Sequence, residues 1–333
     1  SNPAETCFRV DANGNMVAPL PGDCAQYGTE GEQRSDEQAK NMILFIGDGM
    51  GDSEIPSARN YLYGANGRLP GVDALPYTGS YTHSALNPET GLPDYVTDSA
   101  ASGTGWATGT KTYNGGIGIG LDGTPHANLL EMAKAAGMKT GNVTTSEIQD
   151  ATPAVMGAHA VNRKCYGPEN TEEANPRCTG GEFDAQYREN GGLGSISEQL
   201  IDTRADITLG GGSAAFDQTV QVSGEAGDTT WTEGDTVLEN AEANGFQVVT
   251  NKAELEAATG SAEAEGISLR QADPEGPILG LFDEGNLPRN FLETVPTTDG
   301  AMQDPARCEK NPERTEDVPT LADMTSAALN VLP

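Results

Sequence analysis

The sequence predicts an α/β domain with a large, mostly parallel sheet. Three observations lead there. Short apolar runs of strand length recur along the chain and end in glycine or polar residues. Segments with helical spacing stand between them. Strands alternating with helices build parallel sheets, because each parallel pair needs a crossover. The 333 residues can bury a sizeable core as one large domain or two smaller ones.

The elements follow in order. Residues 1–40 are polar and aperiodic, and read as an N-terminal arm. Met42-Ile43-Leu44-Phe45-Ile46, ended by Gly47, reads as a strand buried on both faces. Leu129, Leu130, Met132, Ala133 and Ala136 follow helical spacing, with Gly137 just past the end. A strand is expected around Asn142-Val143-Thr144, a helix near 196–201, and a strand at Ile207-Thr208-Leu209 before Gly210-Gly211-Gly212. Further strands are expected at 247–249 and 278–282. The polar stretches 162–192 and 213–235 read as surface excursions. Thr320 with Asp323 opens a helix whose stripe is Met324, Ala327, Ala328 and Val331. A strand should follow that helix in such a sheet.

Charge excludes whole classes of partner. The chain carries 50 acidic residues against 19 basic ones, a net charge of -31. Such a field repels nucleic acid and anionic membranes. No run of 18 apolar residues could span a bilayer. No basic, then apolar, leader opens the sequence; Ser1-Asn2-Pro3 reads as a mature or trimmed start. Acidity spread along the whole chain predicts adaptation to high salt, where screening removes self-repulsion.

Cysteines stand at 7, 24, 165, 178 and 308, and their spacing is not that of a zinc site. Cys7 with Cys24 and Cys165 with Cys178 each close a short polar loop. Two disulfides and an oxidising compartment are therefore expected. Cys308 is left over.

Three segments can carry chemistry. Gly47-Asp48-Gly49 follows the first apolar run, and Asp48 presents a carboxylate suited to a divalent cation. In Thr97-Asp98-Ser99-Ala100-Ala101-Ser102-Gly103, small residues leave Ser99 open to approach. Asp98-Ser99 also begins a helix whose N-terminus favours an anion. A serine placed there can attack phosphorus while the helix end holds phosphate oxygens. In the third segment Asp150 and Thr152 offer hard oxygens near a strand end. Arg163 follows, with a planar fork that fits two phosphate oxygens.

Together these segments resemble the bacterial alkaline phosphatases, nearly continuously from residue 41 to the C-terminus. The matching stretches are 41–55, 94–118, 129–152, 163–168, 194–212 and 280–288. The resemblance implies a large sheet sandwiched by helices, in a periplasmic or secreted homodimer. Each subunit would hold two zinc ions and one magnesium and hydrolyse phosphate monoesters through a phosphoserine, releasing inorganic phosphate. Ser99 would be the nucleophile and a zinc ligand, Asp98 would help orient Arg163, and Arg163 would clamp phosphate. Asp48 would bridge a zinc and the magnesium, Thr152 would bind magnesium, and Asp150 would hold magnesium-bound waters. Residues 41–333 would then be the N-terminal part of a single catalytic domain.

The resemblance also implies histidine, aspartate and glutamate ligands that this sequence does not match. His83, His126 and His159 fall at none of those positions. The expected partner of Cys308 lies beyond Pro333. The reading is thus of a domain truncated at its C-terminus, inactive as residues 1–333 alone. Two alternatives stand beside it. One is a non-catalytic phosphate- or metal-binding fragment. The other is a serine esterase, which Gly51-Asp52-Ser53 evokes but which lacks a G-x-S-x-G elbow and a suitably placed histidine.

Overall fold

The computed structural model describes residues 39–261, 274–295, 297–304 and 306–332, with the backbone of two short N-terminal strands. The chain forms two compact units, Ser1–Ala58 and Arg59–Pro333.

In the first unit, β1 (Arg9–Val10) pairs antiparallel with β2 (Met16–Val17). The expected Cys7–Cys24 bridge lies outside the described residues. The run from Met42 to Ile46 corrects the sequence reading. It forms no strand, and all five side chains are exposed, Phe45 by 73%. A doubly buried strand needs ladder partners and two covering layers, and the described residues of this unit supply neither. Helix α1 (Glu54–Tyr63) then leads the chain into the second unit.

The second unit opens with a small hairpin, β3 (Ala85–Leu86) against β4 (Pro93–Asp94). Helices α2 (Ser99–Thr108) and α3 (Leu129–Ala135) follow. Gly137 stands past the end of α3 with a positive φ of 77°, as expected. The stripe on α3 is only partly used: Leu130 is buried while Met132 is exposed.

The main sheet is built from β5 (Gly141–Glu147), β6 (Ile207–Gly211), β9 (Gln247–Val249) and β10 (Ile278–Leu281), in the order β5-β6-β10-β9, all parallel. Between β5 and β6 come α4 (Ala151–Ala154) and α5 (Ile196–Thr203). Between β6 and β9 come α6 (Ser213–Phe216), the hairpin β7 (Gly224–Ala226) with β8 (Thr229–Trp231), and α7 (Val237–Ala243). Helix α8 (Lys252–Thr259) precedes β10, and α9 (Leu321–Val331) closes the unit. Each strand expected between residues 142 and 282 is thus present.

Strand periodicity sends alternate residues to opposite faces. Leu279 and Leu281 of β10 join one core with Ala151, Ile196, Leu200, Ile201 and Val237. Ile278, in register with Ile207, joins a second core with Leu209, Leu255, Met324, Ala327 and Val331. Helices therefore cover both faces, and each fully buried Ile or Leu contributes about 1.5–3 kcal/mol. The capping box of α9 is as read: Asp323 N donates to Thr320 Oγ1, and Thr320 N donates to Asp323 Oδ2 at 2.8 Å. Gly211 is required by close approach, since a Cβ there would stand 1.9 Å from the carbonyl oxygen of Gly285.

The two excursions are also corrected. Segment 162–192 buries Cys165, Cys178 and Tyr187 completely, and 213–235 buries Phe216, Val220 and Trp231. Their largest buried side chains stand scattered among polar ones. Cys165 and Cys178 are joined, with Cα atoms 5.1 Å apart. Cys308 is free and exposed. Among the described residues no helix is long and apolar enough to cross a membrane.

Candidate active site

Asp98 caps α2 as expected, its side chain accepting from Ala101 N at 2.9 Å. That bond starts the helix at Ser99 and leaves the first-turn N–H groups of Ser99 and Ala100 without an intrahelical acceptor. The helix can pack closely because its inner face is small: Ala100, Ala101, Gly103 and Ala107 are buried. At Gly103 a Cβ would come within 3.1 Å of Val155.

Strand β5 ends at Glu147, and Asp150 is the N-cap residue of α4 three residues later. The chain then returns through Arg163, whose guanidinium gathers the predicted residues. Its Nη1 donates to Ser99 Oγ at 3.0 Å and lies 3.4 Å from Asp98 Oδ2. Its Nη2 donates to Asp150 Oδ1 at 2.8 Å. Its Nε is buried with no hydrogen-bond partner. A buried orphan donor is costly, and turning it onto an incoming oxygen would relieve that cost.

Burial raises the Asp150 carboxyl, but the hydrogen bond and charge of Arg163 outweigh it and hold the group below its ordinary range. Burial likewise opposes the Arg163 charge, and Asp150 more than restores it. Both groups are therefore ionised at neutral pH. Glu147 is pushed up, chiefly by burial.

Tyr166 went unread in the sequence. Its hydroxyl donates to Asp150 Oδ1 at 3.1 Å and accepts from Lys164 Nζ at 3.2 Å. Burial, then the Asp150 charge, raises its pKa, so it remains a donor. Nothing local marks it except its place beside Cys165, whose bridge to Cys178 anchors that turn.

Ser99, Asp98, Asp150 and Arg163 thus share one site. Thr152 lies on α4, two residues after Asp150. Asp48 belongs to the first unit, in a turn where Met50 N donates to Gly47 O.

The donor set bears on metals. Among the described residues, no group of three or more His, Cys, Asp and Glu converges to hold an ion. The oxygens of Asp150, Thr152 and Ser99 suit a hard cation such as magnesium. They offer zinc neither nitrogen nor sulfur, which it prefers, so the described residues do not fit a zinc pair. His159 is committed elsewhere, to Gly118 and Glu131. A cavity of about 650 Å³ beside it, walled by Arg188, Asp202 and Lys134, includes none of Ser99, Asp150 or Arg163 in its lining. The residues gathered by Arg163 lie at the start of α2 and not in that cavity.

The family profile described as Alkaline phosphatase matches residues 39–333. The chain is 49% identical over 327 residues to the alkaline phosphatase of Escherichia coli strain K12, covering 96% of this chain and 64% of that protein. It is 50% identical over 299 residues to alkaline phosphatase H of Pseudomonas aeruginosa, covering 90% and 57%. Among solved structures it is similar to the cold-active alkaline phosphatase of Shewanella sp., with a TM-score of 0.51 and 26% identity, over 86% of this chain and 51% of that one. The chain spans about three fifths of the length of these curated relatives. With a parallel sheet between helix layers and the family profile matched along most of its length, the chain belongs to the alkaline phosphatase family.

Proposed function

We propose that the protein hydrolyses phosphate monoesters at alkaline pH through a phosphoserine on Ser99. The observation that carries this reading is the hydrogen bond from Arg163 Nη1 to Ser99 Oγ at the N-terminus of α2. Ser99 Oγ attacks phosphorus and gives up its proton, the ester P–O bond breaks, and the alcohol leaves with a proton. Water then cleaves the Ser99 phosphoester and releases inorganic phosphate. Arg163 holds two phosphate oxygens through its planar fork, while the free N–H groups of the first turn of α2 face the growing negative charge. Asp98 and Asp150 hold the guanidinium in place from two sides.

Within the second unit, Ser99, Asp150 and Thr152 are the oxygen donors that would hold magnesium, and Asp48 is assigned a metal role on the family resemblance alone. Such ions, when bound, supply positive charge and acidify a coordinated hydroxyl. A homodimer is proposed on the family resemblance, and a periplasmic or secreted location is supported by the Cys165–Cys178 bridge. The net charge of -31 supports a salt-adapted enzyme without nucleic-acid or membrane partners.

Acid quench of the full-length protein turning over labelled phosphate ester, followed by peptide mapping, tests the reading. Label should sit on Ser99 and vanish in Ser99→Ala. Label on another residue would overturn the mechanism, and phosphate binding without turnover would favour the non-catalytic alternative.

A further inference from the structure

Ser99 and Arg163 meet across 64 residues of sequence, and a single short turn contacts the backbone on both sides of that meeting. The side chain of Asn114 accepts from Asp98 N at 2.8 Å through Oδ1. Its Nδ2 donates to Val96 O at 2.8 Å and lies 3.4 Å from Asp94 Oδ2. The carboxamide thus acts as a strand partner for residues 96–98, taking one N–H and serving one C=O. On the other side, Gly115 O accepts from Arg163 N at 2.7 Å, and Tyr113 Oη donates to Val161 O at 2.7 Å. Three consecutive residues therefore hold the segment before the nucleophile and the segment that carries the guanidinium.

We propose that Asn114 is a positioning residue that sets the separation of Ser99 Oγ from Arg163; its effect on catalysis rests on the phosphoserine reading above. Only a carboxamide fits the task. An aspartate would keep the acceptor for Asp98 N but lose the donor to Val96, and would add a charge beside Asp94. An alanine would lose every contact. The turn would then hold Arg163 through Gly115 while leaving residues 96–98 free to shift. Misplacing a reacting group by about 1 Å can cost on the order of a hundredfold in rate.

The test compares Asn114→Ala and Asn114→Asp with a matched control in the full-length protein. Asn244→Ala is that control. Its carboxamide makes a similar set of bonds, accepting from Thr230 N and donating to Thr230 O and Asn240 O, with no partner in the candidate site. The expected result is a fall in kcat/KM of about tenfold to a hundredfold for both Asn114 variants, at a thermal midpoint similar to that of the control. The control should keep the parent kcat/KM. A value within twofold of the parent for both Asn114 variants, or an equal loss in the control, would overturn the proposal. Crystal structures of the parent and of either Asn114 variant supply a second measurement, the separation of Ser99 Oγ from Arg163 Nη1. It should lengthen, and an unchanged separation would also overturn the proposal. If the parent forms no phosphoserine, the functional reading fails, and this separation still decides the positioning claim.

Discussion

His159 reaches Glu131 with Nε2 at 2.9 Å while its Nδ1 stands 2.8 Å from the carbonyl oxygen of Gly118. Both partners accept and neither can donate. Only the doubly protonated imidazolium satisfies both contacts. Burial disfavours that charge, but Glu131 and the Gly118 carbonyl outweigh it and raise the His159 pKa above its ordinary 6.5. Burial also opposes ionisation of Glu131, and His159 with the Asn128 N–H more than compensates, lowering it.

The sign of the pH dependence follows. The His159 contribution is complete below pH 6.5 and is lost as pH climbs through the raised folded value. The Glu131 contribution is present above pH 4.5 and is lost as pH falls through the lowered one. Stability should therefore erode as pH rises above 6.5, by up to about 1.5–3 kcal/mol for a charge-assisted bond. His159→Gln should flatten the plot of thermal midpoint against pH above 6.5. A parent and variant with parallel plots would contradict the assignment.

Arg163→Ala should weaken inorganic phosphate as an inhibitor and lower kcat/KM, each by about tenfold to a hundredfold, the range for bonds to charged groups. The covalent intermediate should still form on Ser99, because the clamp is lost and the nucleophile is not. Inhibition constants measured beside acid-quench labelling check both halves. Loss of the label with phosphate affinity intact would reverse the roles.

Removing the Cys165–Cys178 bridge should cost about 3 kcal/mol by loop closure over 13 residues. Both sulfurs are buried. Ile196 N also donates to Cys165 O and Ser197 N to Tyr166 O, so the loop is tied to the start of α5. Denaturant titration of Cys165→Ala/Cys178→Ala against the parent measures the loss. A change under about 0.5 kcal/mol would mean that the reduced chain already holds the loop closed.

A net charge of -31 predicts a thermal midpoint that rises between dilute buffer and molar sodium chloride, as screening reduces self-repulsion. Calorimetry at several salt concentrations, with sucrose as an uncharged control, separates screening from general exclusion effects. A flat salt series would remove the support for salt adaptation.

Elements specified by nearby residues were legible in the sequence. Strands β6 and β10 are unbroken apolar runs, α9 carries its cap and its stripe, and Asp98-Ser99 announces the start of α2. The core assignment of 162–192 and 213–235 was not legible, because Tyr187 and Trp231 stand alone among polar neighbours and their burial depends on distant partners. Met42–Ile46 shows the opposite failure, since local apolarity cannot supply a neighbouring strand. Ser99, Asp98, Asp150 and Arg163, which the structure brings together, stood out in the sequence through their chemistry. Tyr166 and Asn114 did not, because a hydroxyl or a carboxamide becomes informative only when its partners are known, here Asp150 Oδ1 and Asp98 N, each 16 residues away.

Arg163 stands between two carboxylate side chains before any substrate arrives, one on each side of its guanidinium. Counted over Asp98, Asp150 and Arg163, the cluster is net anionic. A phosphate dianion therefore does not enter a ready-made positive hole. At Nη1 and Nη2 a phosphate would compete with Asp98 and Asp150, whereas Nε has no partner to give up. On the reading proposed above, affinity for product would stay modest with these three side chains alone, and tight binding would need extra positive charge close to Asp150. On the phosphoserine reading proposed above, release of phosphate would be correspondingly easy, because Asp98 and Asp150 already stand against Nη1 and Nη2.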